Sequence, residues 1–436
     1  MEDRDAQASF RAILHPQPST LNPQPSTLNP LRPPLQLYDN MQHMDQNYSD
    51  DAVCARGGWP AEFRTRPSAP AIYQTTAFDM QGLEQLEAVA AGHEPGYIYT
   101  RDGNPNHDAF AGDVARLEGA EAGVVAASGM GALTAALLAH VRTGDHIVAA
   151  RVLYGRTSQM LNHLQASFGV TTTYVDATRP AEFARAATPQ TKLAIVETIS
   201  NPLLEVADLP AIVAALRDIP LLVDSTFATP CLLRPLELGA RLVFHSASKY
   251  LNGHGDVMLG VVVGKRDVIR RVRGMAALYG VNSNPFECWL ASRGLRTLPL
   301  RMQRVSQTAD RLSRFLTTQP GVTRVFYPGL AEHPSHAQAR RFLANGYGGM
   351  LSFELHGGKP AVAALFRSLA DQIPFSPTLA DARTTLSYPA GTSHKFMTTA
   401  ERLEYGIGDG LVRLSVGLES AADLERELSA ALAGLL

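Results

Sequence analysis

Cysteine is almost missing from this chain: three residues in 436, Cys54, Cys231 and Cys288, widely spaced and odd in number. No CxxC pair occurs, so neither a disulfide framework nor a zinc site is indicated, and a reducing, cytoplasmic location is expected. An excess of either charge is missing too, with 39 Lys and Arg against 41 Asp and Glu. The basic residues are scattered rather than blocked together, which argues against nucleic acid or an anionic membrane as the partner. No stretch reads as a signal peptide or a membrane span. The most apolar window, residues 124–141, is broken by Ser128, Gly129, Gly131, Thr134 and His140. It fits a strand running into a buried helix. Metal-ligand spacing is also missing. His245, His254, His333, His336 and His394 form no HExxH pattern, read as polar filler, and give no reason to expect a metal.

What is present is an ordinary globular composition, 45% hydrophobic and 18% charged, in a chain long enough for two or three domains. Its beginning stands apart. Pro16-Gln-Pro-Ser-Thr-Leu-Asn22 repeats unchanged as Pro23-Gln-Pro-Ser-Thr-Leu-Asn29. The segment is Pro-rich and has no apolar period, so residues 1–44 are expected to be disordered or polyproline-like. Three copies of the seven-base unit AACCCTC, read through all three frames, encode this repeat. Translated upstream DNA, with a true start at Met41 or Met44, is therefore expected. Residues 45–95 carry Pro67, Pro70 and Thr75-Thr76 in a mostly extended stretch too thin in apolar residues to bury its own core. An arm wrapping a neighbouring subunit is expected there.

From about residue 110 to 265, apolar strand-like runs alternate with helical patterns, implying a mainly parallel sheet covered by helices. Ligands of such sheets gather at the carboxyl ends of the strands. A strand at Gly123–Ser128 is followed by Gly129-Met130-Gly131 and an apolar helix, a layout that offers free backbone N–H groups to an anion; tight packing alone is the other reading. A second strand, Asp145–Ala150, leads to Tyr154, which can lie flat on a heterocycle or simply line a rim. A third, Lys192–Glu197, ends near Asn201-Pro202, a turn former by default. Ile219–Val223 ends in Asp224, a carboxylate that is costly at the end of an apolar strand unless it has a partner. Leu242–Phe244 then delivers Ser246, Ser248 and Lys249. A lysine leaving a buried strand beside small hydroxyls is poorly solvated, so its amine pKa is expected to be pushed down. Such an amine attacks aldehydes, and pyridoxal phosphate (PLP) is the best-known aldehyde that proteins hold this way. A protonated pyridine nitrogen would also partner Asp224; an ion-pair scaffold is the alternative.

Upstream, Tyr99 and Arg101 point the same way if the backbone is extended. They would then clamp a phosphate, whereas a solvated loop is the plainer reading. From about Arg296 the texture becomes α+β, with helices near 300–318, 360–369 and 421–435 and strands near 322, 350–354 and 411–417. Arg413, in one of those apolar strands, demands a carboxylate, whether a substrate's or a structural one. The expected division is a large domain at 96–295 and a smaller α+β domain at 296–436.

Ser246-Ala-Ser-Lys249-Tyr-Leu-Asn-Gly-His resembles the lysine signature of the Cys/Met-metabolism (transsulfuration) PLP enzymes. These include cystathionine γ-synthase, cystathionine γ- and β-lyases, methionine γ-lyase and the O-acylhomoserine sulfhydrylases, and the likeness extends over nearly all of residues 51–436. It implies the aspartate-aminotransferase-like PLP-dependent transferase fold (type I) and PLP as cofactor. Lys249 would carry the cofactor and move the α-proton, Asp224 would keep its ring nitrogen charged, and Asn201 would donate to its 3′ oxygen. Tyr154 would stack on the ring and protonate the leaving group. Ser128-Gly129-Met130-Gly131 is similar to the family's S-G-M-G, whose amides hold the phosphate, with Ser246 and Ser248 beside it. Tyr99-Thr-Arg101-Asp-Gly-Asn-Pro is similar to Y-S-R-x-x-N-P, in which Tyr and Arg reach the phosphate of the adjacent subunit. A homodimer is then the minimum unit and a homotetramer the usual one. Arg413, in R-L-S-V-G-x-E, and Thr378 would bind the substrate carboxylate. Four positions depart from pattern: Thr378 for Ser, Tyr388 for a frequent His, Pro377 for an acidic residue of some γ-lyases, and Arg156 for the cysteine typical of methionine γ-lyases. They bear on the substrate rather than the cofactor. The expected activity is γ-elimination or γ-replacement of the cystathionine γ-synthase/γ-lyase type. Its rivals are O-acylhomoserine sulfhydrylase or methionine γ-lyase, then cystathionine β-lyase, and, in a different class, a PLP-binding scaffold without turnover.

Overall fold

The structure, a computed structural model, describes residues 67–435 apart from 344 and 396. The expectations for residues 1–44 and for the first part of the arm lie outside the described residues. All elements below belong to the compact unit Ala69–Leu436.

Seven strands form the larger sheet: β1 (Ala122–Ala126), β2 (His146–Ala150), β3 (Thr171–Val175), β4 (Thr191–Glu197), β5 (Leu221–Asp224), β6 (Leu242–Ser246) and β7 (Gly260–Gly264). Their order is β1-β7-β6-β5-β4-β2-β3. The pairs from β3 through β6 are parallel, and β7 is antiparallel to both neighbours, β6 and β1. β2 and β7 are buried at every position, as strands covered on both faces must be. Two strands depart from the sequence reading. β3 is the edge strand TTTYV, largely exposed; it has no apolar run to announce it, so Lys192–Glu197 is the fourth strand, not the third. β7 follows the lysine segment and separates β1 from β6. The crossover from β5 to β6 is a short helix at Thr229–Leu232 and a 3₁₀ turn at Pro235–Leu238.

The second sheet contains β8 (Val322–Phe326), β9 (Met350–Leu355), β10 (Thr385–Ser387) and β11 (Leu411–Ser415) in the order β10-β11-β9-β8, all antiparallel. The helix Leu298–Thr317 serves both apolar cores. Leu298, Met302 and Val305 pack into the core of the large sheet, and Ala309, Leu312 and Leu316 into that of the small one. The handover falls between Val305 and Ala309, inside one helix.

In the arm, the mostly extended expectation is corrected at Leu83–Ala90, a helix with no fully buried residue. Leu83, Leu86 and Ala90 recur there at helical spacing. Further on, residues 100–102 form a turn rather than extended chain.

Candidate active site

At the carboxyl ends of the large sheet's strands lies a cavity of about 610 Å³. Gly129, Met130, Tyr154, Asn201, Asp224, Ser246, Ser248, Lys249 and Arg413 all line it. The chain supplies them from β1, β2, β4, β5, β6 and β11 or from the turns just beyond those strands, and the converging parallel strands bring them together.

Lys249 is mostly buried, and that burial, followed by the nearby Arg413 cation, pulls its amine pKa down to about 8. Its Nζ donates to Thr378 Oγ1 at 2.8 Å, so Thr378 touches the lysine. The turn after it is fixed from beneath. Buried Arg301 donates to the carbonyls of Tyr250 at 2.6 Å, Leu251 at 3.3 Å and Gly294 at 2.9 Å.

Asp224 ends β5 beside β6, in register with Phe244. Its Oδ1 accepts from the Thr226 N–H at 2.9 Å, and Thr226 Oγ1 accepts from the Ser246 N–H at 2.9 Å. Thr226 thus stitches the aspartate strand to the lysine strand. Burial raises the Asp224 pKa, with the Thr226 donors and the His245 field acting against it. No ion pair joins Asp224 to Lys249 among the described residues, so the ion-pair scaffold reading is not realised.

The anion-facing side is the start of the helix Gly129–Leu138, capped by Ser128, whose hydroxyl accepts from Gly131 N–H at 3.0 Å. The amides of Gly129 and Met130, in its first turn, have no acceptor within the helix. A Cβ on Gly129 would lie 2.8 Å from the Ser246 side chain, so only glycine lets this helix end approach β6. Ser248 lines the cavity but its hydroxyl is engaged by Leu259, accepting from N–H at 2.9 Å and donating to the carbonyl at 3.3 Å.

Arg413 is 3% exposed. Its Nη1 donates to Asn201 Oδ1 at 3.0 Å, and its Nε has no partner. No carboxylate among the described residues pairs with it, so the structural salt-bridge reading is corrected: its neighbour is a neutral amide. Burial lowers its pKa to about 10, which leaves it charged at neutral pH.

Tyr99 and Arg101 stand apart from this group. The guanidinium lies 5.0 Å from the Tyr99 ring centroid; Tyr99 is 39% exposed and neither residue lines the cavity. The five histidines bond to protein partners: His245 to Glu118, His254 to the Asn252 carbonyl, His333 to the Leu203 carbonyl, His336 to the Pro328 carbonyl and His394 to Ser393.

Four residues escaped the sequence reading. Ser128 and Thr226 carry local signals, a serine before a helix and a hydroxyl two residues after an aspartate. Arg301 carries none, because two of its three carbonyl partners, Tyr250 and Leu251, are about fifty residues away. Glu197 has the same signal as Asp224, an acid ending an apolar strand, and it too lines the cavity.

The model of the Cys/Met metabolism PLP-dependent enzyme family matches residues 51–433. The chain belongs to this family. It has the type I fold of these PLP enzymes, and its cofactor is PLP. The L-methionine gamma-lyase of Porphyromonas gingivalis is 42% identical, covering 84% of this chain and 93% of the relative. The cystathionine beta-lyase of Bacillus subtilis is 41% identical, covering 83% and 90%. The crystal structure of a cystathionine gamma synthase from Xanthomonas oryzae pv. oryzae superposes with a TM-score of 0.79 at 37% identity, covering 84% of this chain and 93% of that one. The residues present fit the family's cofactor. A lysine amine of lowered pKa, a strand-end carboxylate, two helix-end amides and a cradle that a Cβ would fill all line one cavity.

Proposed function

We propose that this family member removes or replaces the γ-substituent of a sulfur-containing or homoserine-derived amino acid, in the manner of a cystathionine γ-synthase or γ-lyase. The observation that carries the proposal is the Lys249 amine, with its pKa near 8, in one cavity with Asp224 and the unpaired Nε of Arg413. Bound at Lys249, PLP supplies the electron sink that makes the α-proton of an amino acid removable. The chain's own residues do the rest. Asp224 would hold the ring nitrogen as a cation, the amides of Gly129 and Met130 with Ser246 would hold the phosphate, and Asn201 would donate its Nδ2; Ser248, whose hydroxyl is turned to Leu259, only lines the site. Arg413 takes the substrate's α-carboxylate through its free Nε. An amine titrating near 8 both accepts and returns protons at neutral pH, so Lys249 moves the proton at Cα. The Tyr154 phenol donates to the departing group. Because Thr378 accepts from Lys249, it steadies the amine rather than the carboxylate. The exposure of Tyr99 and Arg101 outside their own chain's cavity supports their reaching the phosphate of a second copy, with a homodimer as the smallest working unit. In this reading the arm at 45–95 contacts the neighbour, 96–295 binds the cofactor and 296–436 closes the site.

Arg156 and Lys395 also line the cavity, both exposed. Two further cations at its mouth support a substrate with a second carboxylate, such as cystathionine. The relatives' names span methionine γ-lyase, cystathionine β-lyase and cystathionine γ-synthase, so the assay must separate all three. Purified enzyme should release 2-oxobutyrate from cystathionine as a γ-lyase, or form cystathionine from an acylated homoserine and cysteine as a γ-synthase. Its kcat/KM for cystathionine should exceed that for methionine by about tenfold, one charge pair's worth. Pyruvate from cystathionine would replace this reading with β-elimination. A preference for methionine would replace it with the methionine γ-lyase reading.

A further inference from the structure

Glu197 has no part in the chemistry described above, yet it occupies the centre of the site. It ends β4 as Asp224 ends β5, and the two are register partners in a parallel pair. Their side chains therefore leave the sheet on the same face, and both line the cavity. Glu197 is 8% exposed. Its Oε1 accepts from the Tyr154 N–H at 2.6 Å, and the Asn201 N–H favours its charged form. Tyr154 precedes the helix Gly155–Phe168 and has no side-chain cap of its own. The carboxyl thus fixes the turn that carries Tyr154.

Two buried carboxyls side by side do not both ionise cheaply, and such a pair titrates in two steps. The surroundings decide which keeps the proton. Asp224 has the backbone and hydroxyl donors of Thr226 and the His245 field in its favour, whereas burial, then the Asp224 charge, pushes Glu197 well above the ordinary carboxylate range. On the cavity side Glu197 faces Lys249 and Arg413. Behind it, a small hollow holds Arg151, Asp176, Glu205, Glu404 and Tyr405. Arg151 there is already paired with Asp176 at 2.6 Å.

We propose that Glu197 is a positioning residue of this site, a buried carboxyl paired in register with Asp224 that fixes the backbone of Tyr154. The inference rests on PLP occupying the cavity. The test measures PLP affinity of cofactor-free wild type, Glu197→Gln and Glu197→Ala at pH 7 by fluorescence quenching, with thermal melts of each to confirm folding. The amide of Glu197→Gln still accepts, so its affinity should stay within about threefold of wild type, whereas Glu197→Ala leaves the Tyr154 N–H unpaired and should lose about tenfold or more. A Glu197→Gln protein that binds as weakly as Glu197→Ala, or a Glu197→Ala protein that binds as tightly as wild type, overturns this proposal while leaving the cofactor reading intact. A wild type that binds no PLP overturns both.

Discussion

Replacing Lys249 by methionine should make the cofactor-free protein more stable at neutral pH, even though it abolishes the proposed chemistry. The fold holds this amine mostly out of water, at a pKa of about 8 against the ordinary 10.5. At roughly 1.4 kcal/mol per pH unit, keeping the charged form in place costs the fold about 3 kcal/mol. The sign follows from proton counting. The folded state binds fewer protons than the unfolded chain between about pH 8 and 10.5, so stability rises with pH through that window. Below pH 8 the penalty is at its maximum, and above 10.5 it vanishes. Lys249→Met removes the penalty but also the 2.8 Å bond from Nζ to Thr378, worth about 1 kcal/mol. The net gain at pH 7 is then about 2 kcal/mol. Urea unfolding of both proteins without cofactor, at pH 7 and at pH 9.5, checks this. The mutant's advantage should be present at pH 7 and shrink at 9.5. A mutant equal to or weaker than wild type at pH 7 would refute the claim that Lys249 is an amine under desolvation.

Two further substitutions test the scaffold around it. Gly129→Ala places a methyl 2.8 Å from Ser246, an overpacking expected to cost about 1–3 kcal/mol; lower melting temperature and weaker PLP binding should appear together, and an unchanged affinity would count against the helix end as the phosphate seat. Arg301→Leu leaves the carbonyls of Tyr250 and Leu251 without their donor. It should destabilise by about 3 kcal/mol or more, read as a lower urea midpoint, and a neutral result would show that the turn after Lys249 holds itself.

The chemistry-bearing positions were readable because each breaks a local rule. Asp224 and Lys249 end apolar runs, Gly129 follows a strand and opens a helix, and Arg413 interrupts a strand. A polar residue in an apolar context needs a reason, and here the reasons converge on one cavity. What escaped had either no local anomaly or an ambiguous one. β3 is an exposed edge of threonines with nothing to bury. The helix at Leu83–Ala90 lies in a segment whose prolines and threonines suggested extension. Glu197 carried the same anomaly as Asp224, but its acceptor role toward Tyr154 appears only once β2 and β4 are side by side.

The amino-acid order alone determined the residue types and the strand ends at which they fall, because burial and chain period are local properties. Tertiary structure decided the partners within the chain: Thr378 against Lys249, Asn201 against Arg413, and Glu197 next to Asp224. Those contacts join residues from 27 to 212 positions apart, and no local pattern encodes which of many distant groups the folding of two sheets will bring within hydrogen-bonding reach.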